Sequence, residues 1–301
     1  MRTYPLRAAL SAAFLTTIGA AQAIAQDTGD LVGEPINGKM GFQPAATELA
    51  RDLHGLDHML TIITAVIVAF VTLLILWVVV RYNARANKTP AKFTHNTPIE
   101  VAWTLLPILI LVVIGAYSLP VLFKQQEIPD GDIYIKVTGY QWYWGYEYPD
   151  EGIAFDSYMI GQPATGGEYR RTPEVEQMLV DAGYTPDQFL LATDTQVVVP
   201  VGKTIVMGVT GADVIHSWTI PAFGVKQDAV PGRVAELWFK AERTGTFFGQ
   251  CSELCGKDHA YMPITVRVVT EEEYETWLEG AREEYASAET APRTVRLASA
   301  D

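Results

Sequence analysis

Two long apolar runs set the organisation of the first half of the chain. Residues 59–80 and 101–123 contain no charged side chain. Each is long enough to cross a bilayer, which takes about 20 residues of helix. Between them come Arg81, Arg85, Lys88 and Lys92, with no acid until Glu100, so the positive-inside rule places this loop in the cytoplasm. Trp77 and Trp103 fall near the cytoplasmic ends of the runs, where aromatic belts form. A shorter apolar run, 8–18, follows Arg2 and Arg7 and precedes Ala23-Ile24-Ala25. It reads as a signal peptide cleaved before Gln26 and is too short for a third membrane helix. Residues 26–56 show no clear period. Both mature ends then lie outside.

The second apolar run opens with Thr97-Pro98-Ile99-Glu100, which predicts Thr97 as N-cap, Pro98 at N1 and Glu100 closing a capping box at N3. From Lys124 the pattern changes to short β-rich stretches between turn residues: 133–138, 195–199, 204–210, 235–239 and 263–269. No long helix alternates with them, so the pattern predicts an all-β sandwich or barrel and argues against a parallel α/β sheet. Positions 140, 142, 144, 146 and 148 are all aromatic, the period of one strand face. Residues 157–191 interrupt the strands with Gly, Pro and charge. Within them Thr172-Pro173 starts a short helix that Gly183 ends. Thr270-Glu271-Glu272-Glu273 forms a capping box. Tyr274, Trp277, Leu278, Ala281 and Tyr285 follow at helical spacing, predicting an amphipathic helix before a terminal tail.

Charge sharpens this division. The chain carries a net −13, yet the segment from Lys124 onward holds 28 acids against 14 Lys and Arg. The acidity therefore belongs to the exposed domain, which suits a cationic partner and gives no reason to expect nucleic acid.

The candidate chemistry lies in Cys251-Ser252-Glu253-Leu254-Cys255-Gly256-Lys257-Asp258-His259-Ala260-Tyr261-Met262, which holds both cysteines of the protein; Asp213-Val214-Ile215-His216 offers a second imidazole. Thiolate, thioether and imidazole are the ligand set that selects copper, and less often zinc. Two cysteines in an exported chain also fit a disulfide. A Cys-Cys-His-His set fits structural zinc, although the usual CxxC spacing is absent. A single copper needs only one of the two thiolates, whereas both together can bridge a copper pair. His54 and His58 lie four apart before the first span and receive no role.

The strings CSELCGKDHAYMP and HSWTIPAFGVKQDAVPGR closely resemble the binuclear CuA motif of cytochrome c oxidase subunit 2, and FTHNTPIEVAWTLLP and the aromatic run at 140–148 extend the resemblance over almost the whole chain. The resemblance implies a two-helix transmembrane hairpin followed by an all-β, cupredoxin-like Greek-key barrel. The chain then divides into a signal peptide (1–25), a periplasmic N-terminal segment (26–56), two membrane helices (57–123, with the cytoplasmic loop at 81–99), a CuA domain (124–270) and a C-terminal helix and tail (271–301). It further implies that Cys251 and Cys255 bridge two copper ions, that His216 and His259 each cap one, and that Met262 and the Glu253 carbonyl are weak ligands. The Glu253 side chain would bind a magnesium ion shared with subunit 1. Trp142 would receive electrons from cytochrome c, which requires a bend or bulge to take it off the common aromatic face. Glu100 would stand at the entrance of a proton pathway into subunit 1. Glu147, Asp156, Asp194 and Asp213 would dock the basic cytochrome c.

The implied whole is subunit 2 of a bacterial aa3-type cytochrome c oxidase in the inner membrane. It would sit among lipid, subunit 1 and further subunits, in a complex that couples oxygen reduction to proton pumping. The chain has too few helices and histidines to hold haem and reduce oxygen itself. Quinol oxidase subunits lack the copper ligands. Nitrous oxide reductases need more histidines and have no helix pair. Copper chaperones with CxxxC use a thioredoxin-like fold, which the β-rich pattern disfavours.

Overall fold

The computed structural model describes residues 31–285; the expected signal peptide and the tail lie outside them. Helix α1 spans Glu48–Arg81 and α2 spans Thr97–Gln126. Both run the length of their apolar stretches with almost every side chain exposed, as lipid-facing helices do. Thr47 caps α1 by accepting a hydrogen bond from Ala50 N at 3.0 Å. The cap of α2 lies one residue earlier than the sequence suggests. Asn96 is the N-cap, accepting from Ile99 N, while Glu100 Oε1 accepts from Asn96 N at 3.1 Å. Asparagine caps at least as well as threonine, and Thr97 is drawn into the first turn. Glu100 keeps its capping part, one position deeper in the helix.

The outer domain is built from two sheets and a hairpin. Strands β2 (Ile133–Tyr140), β3 (Tyr143–Tyr148), β4 (Ile153–Ser157), β6 (Thr204–Gly211) and β9 (Ala235–Lys240) form one sheet in the order β4-β3-β2-β6-β9. Strands β1 (Leu31–Gly33), β5 (Val197–Pro200), β10 (Gly245–Gln250) and β11 (Pro263–Val269) form the second in the order β1-β10-β11-β5. Strands β7 (His216–Ile220) and β8 (Val225–Ala229) make a separate antiparallel hairpin. The chain crosses between the two sheets at β1–β2, through the helix pair, and at β4–β5, β5–β6 and β9–β10. Alternation supplies one common core: Ile135, Val137, Met207 and Phe239 from the first sheet meet Val199, Phe247 and Val266 from the second, with Trp218 from the hairpin. Tyr148 ties the sheets together, its hydroxyl donating to Val198 O at 3.0 Å and accepting from Val198 N at 3.1 Å.

The aromatic run does not form one strand. β2 ends at Tyr140 and β3 begins at Tyr143, so Gln141 and Trp142 form the turn between them. Trp144, Tyr146 and Tyr148 are buried, whereas Trp142 is half-buried. The departure from period 2 needed to free Trp142 is therefore a hairpin turn and not a bulge.

Other segments fix the domain to the hairpin. α1 begins about 16 Å before its apolar run, at 1.5 Å per residue. This extension docks on the β7–β8 turn, with Ala46 N donating to Ala222 O at 2.8 Å and Thr47 Oγ1 to Phe223 O at 2.7 Å. Arg51 pairs with Glu242, and Lys124 at the end of α2 bridges Glu48 and Asp52. The excursion between β4 and β5 carries α3 (Pro173–Asp181), capped by Thr172 and followed by Gly183 at φ +84. Its Val175, Leu179 and Tyr184 make a small core with Phe248. Helix α4 (Glu271–Tyr285) starts at the expected capping box, with Thr270 N donating to Glu273 Oε2 at 2.9 Å and Glu273 N to Thr270 Oγ1 at 3.3 Å. It buries Tyr274, Leu278 and Ala281.

Candidate metal centre

The loop from Cys251 to Met262 joins β10 to β11 and is closed at its base. Gln250 is in register with Pro263, and Cys251 N donates to Met262 O at 3.0 Å. Ser252 N donates to Ser217 O at 3.0 Å, which fastens the loop to β7. His216 is the first residue of β7 and is fully buried. It fits against β2 because position 139 is glycine: a Cβ there would lie 2.8 Å from the His216 ring.

These constraints bring the five soft and borderline donors together. The sulfurs of Cys251 and Cys255 are 3.8 Å apart and both thiols are free, so the structure contains no disulfide between them. His216 Nδ1 lies 3.9 Å from Cys251 Sγ, and His259 Nδ1 lies 3.5 Å from Cys255 Sγ. Met262 Sδ is 4.0 Å from Cys255 Sγ, and the Glu253 carbonyl oxygen is 3.3 Å from Cys251 Sγ. Cys251, Cys255, His216 and Met262 are buried and His259 is half-buried. The geometry is two imidazole–sulfur pairs joined through the two sulfurs. A tetrahedral structural zinc uses four donors, which leaves Met262 and the carbonyl without a purpose. Copper with bridging thiolates uses the whole set.

The electrostatics favour neutral imidazole and protonated thiol before loading. Burial lowers the His216 pKa below its ordinary value, partly offset by Asp213. Burial, and then the adjacent Cys251, push the Cys255 thiol up to about 12. Asp213 Oδ1 accepts from His216 Nε2 at 2.8 Å. That bond leaves Nδ1 free to face Cys251, a tautomer-setting contact usual for metal-bound histidine. The other Asp213 oxygen accepts from Gln141 N at 2.7 Å. Asp213, a docking acid by resemblance, also supports His216, and in the sequence only its three-residue spacing points to that.

The remaining expected residues fall in three places. Trp142 lies against the ligand loop, with Nε1 donating to Cys255 O at 3.3 Å and Gln141 Nε2 donating to the same oxygen at 2.8 Å. Glu147 and Asp156 sit on the outward side of β3 and β4, Glu147 paired with Lys136 at 3.0 Å. Asp194 is exposed beyond the end of β4 and accepts from Tyr158 N and Thr195 N. The Glu253 side chain is exposed, and Glu100 stands apart from the centre at the start of α2.

Comparison with known proteins agrees with this division. The family described as cytochrome c oxidase subunit II, periplasmic domain, matches residues 133–269, and the corresponding transmembrane domain matches 35–121. The chain is 66% identical to cytochrome c oxidase subunit 2 of Cereibacter sphaeroides over 262 residues, covering 87% of this chain and 86% of that one. It is 42% identical to the probable cytochrome c oxidase subunit 2 of Rickettsia bellii over 260 residues, covering 86% and 90%. A crystal structure of the periplasmic domain of Bradyrhizobium japonicum cytochrome oxidase subunit II is 48% identical, with a TM-score of 0.43, over 53% of this chain and 99% of that chain.

Proposed function

Since this chain belongs to the cytochrome c oxidase subunit II family, we propose that it is the subunit through which the oxidase receives electrons. His216, Cys251, Cys255, His259, Met262 and the Glu253 carbonyl would hold a binuclear CuA centre, which would supply the one-electron chemistry for passing electrons from cytochrome c to haem in subunit 1. The observation that carries this reading is the pair of imidazole–thiol contacts joined by sulfurs 3.8 Å apart. When bound, the copper pair supplies reversible one-electron transfer.

The residues of the chain prepare and protect that centre. Asp213 sets the ring of His216, and the base of the loop is pinned by β10 and β11. Burial of the sulfurs excludes water and limits rearrangement when charge changes. Trp142 offers an aromatic ring bonded directly to the Cys255 carbonyl, a short route from the domain surface to the ligands. Glu147, Asp156, Asp194 and Asp213 contribute to an acidic field that steers a basic cytochrome c. The exposed Glu253 carboxylate suits a hard cation such as magnesium at the boundary with subunit 1. Glu100 lies at the cytoplasmic end of α2, where an acid can receive protons for the complex.

The placement follows: a bacterial inner membrane, a signal peptide removed at residue 25, and the β domain in the periplasm. Oxygen reduction and proton pumping belong to the assembled complex. In an oxidase carrying Cys251→Ser, uptake of electrons from cytochrome c is expected to be lost, while a small artificial donor still reduces the haem groups. Uptake at the parental rate would sink the assignment.

A further inference from the structure

The excursion between β4 and β5 carries Tyr169 to the ligand loop. Tyr169 has φ +59, a left-handed backbone that bulky residues rarely adopt. The surrounding turn fixes it there. Tyr169 N donates to Gly161 O at 2.9 Å. Thr165 Oγ1 accepts from Gly161 N at 2.9 Å and lies 3.0 Å from Met159 O. Gly167 approaches so closely that a Cβ would lie 2.2 Å from Gly161 O.

The side chain held in this way touches the ligand loop twice. Its ring packs on Tyr261 with centroids 4.5 Å apart, and its hydroxyl donates to Asp258 Oδ2 at 3.0 Å. Asp258 is only 7% exposed. The same carboxylate oxygen binds Lys257 Nζ at 2.5 Å, and that ammonium lies 4.7 Å from the centroid of the Trp142 ring. The ring itself rests on Gly256. At φ +129, a Cβ on this residue would come within 3.0 Å of Trp142 Cζ2. A continuous path therefore runs from Tyr169 through Asp258 and Lys257 to Trp142, and ends at the Cys255 carbonyl.

We propose that Tyr169 and Asp258 are positioning residues for Trp142: they hold the Lys257 ammonium over the indole and so keep the ring seated on the ligand loop. This rests on the reading of Trp142 as the place where electrons enter. The side chain of Lys257 is 73% exposed, and a free lysine head prefers water to an aromatic face. An anchored carboxylate beside it changes that balance. The Tyr169 hydroxyl anchors the carboxylate, which gives the excursion a part in electron uptake.

The test uses the assembled oxidase and the double-variant design. Tyr169→Phe keeps the contact with Tyr261 and removes only the hydroxyl. Lys257→Met removes the ammonium from an exposed position that the fold does not need, and Lys257→Arg restores a cation. One readout is the first-order transfer from pre-docked cytochrome c, which separates positioning from docking charge. The other is acrylamide quenching of Trp142 in the metal-free full chain, taken as the difference from the matching Trp142→Phe protein. The expected result is a transfer slowed about three- to tenfold by Tyr169→Phe and by Lys257→Met. Quenching rises in both, Lys257→Arg stays near the parent, and Tyr169→Phe has no further effect once Trp142 is Phe. Unchanged rate and quenching in Tyr169→Phe, with Trp142→Phe slow, would overturn the positioning role and leave the electron route standing. Equal slowing in both backgrounds would overturn it by placing the effect elsewhere. A Trp142→Phe enzyme with the parental rate would remove the route itself, and the proposal with it.

Discussion

Asp213 does two jobs that a surface charge alone would not explain. One oxygen sets the tautomer of His216 and the other holds the backbone of the Gln141–Trp142 turn. Replacing it with alanine leaves a buried imidazole N–H unpaired. Copper held against a chelator is expected to weaken about 10–100-fold in Asp213→Ala, the usual cost of losing such a partner. Retention equal to the parent would assign Asp213 to docking alone. Cys255 sets a pH dependence of known sign. Its pKa is raised from 9.0 to about 12 by burial and then by Cys251, so the metal-free thiol is protonated at neutral pH. Loading must displace that proton, and copper affinity rises with pH. The same raised pKa stabilises the metal-free fold fully below about 9, and that contribution is lost as pH climbs toward 12. Chelator competition at several pH values near neutrality, with proton release measured directly, checks the first statement. The gathering of soft donors was legible in the sequence because four of the five, Cys251, Cys255, His259 and Met262, crowd one short string. The support from Gly139 and Gly256 was not, because it depends on which backbones approach one another, and that from Asp213 showed only as its three-residue spacing from His216.

Elements were legible where one local rule decided them. The membrane helices follow from uninterrupted apolar length, and α3 and α4 from their caps. The cap of α2 was misplaced by one residue because Asn96 and Thr97 are both competent and local propensity does not choose between them. β1 is three residues long and exists through its parallel pairing with β10, a long-range contact with no local signal. The docking of α1 on the β7–β8 turn was hidden for the same reason. It turns on Gly224 at φ +69, where a Cβ would lie 2.7 Å from Ala50 Cα. Gly224→Ala therefore combines backbone strain with a backbone clash. It is expected to cost about 1–3 kcal/mol and to open the 31–51 segment to limited proteolysis, with the Cys251–Met262 loop still able to bind metal. Cleavage no faster than in the parent would show that the extension is not held there.

At the scale of the whole molecule, an acidic outer domain is fastened to a membrane hairpin by Arg51–Glu242 and by the bonds of Ala46 and Thr47 to the β7–β8 turn, while Lys124 ties α2 to α1. The composition shift at Lys124 made this division readable, while the fastening needed the fold. Charge at this scale acts on encounter. Combined Glu147→Gln and Asp156→Asn changes are expected to lower the second-order rate with cytochrome c severalfold at low salt and to flatten its ionic-strength dependence. An unchanged salt slope would remove these acids from the docking field. Glu100→Ala is expected to slow oxygen consumption more than it lowers stability, since Asn96 continues to cap α2; undiminished turnover would leave Glu100 a cap only. The CuA assignment is decided by copper content per chain, measured with the electron paramagnetic resonance spectrum of the purified protein after reduction and copper loading. Two copper ions sharing one unpaired electron equally are expected. One copper with a localised spectrum, or a chain that takes up zinc and no copper, would contradict it.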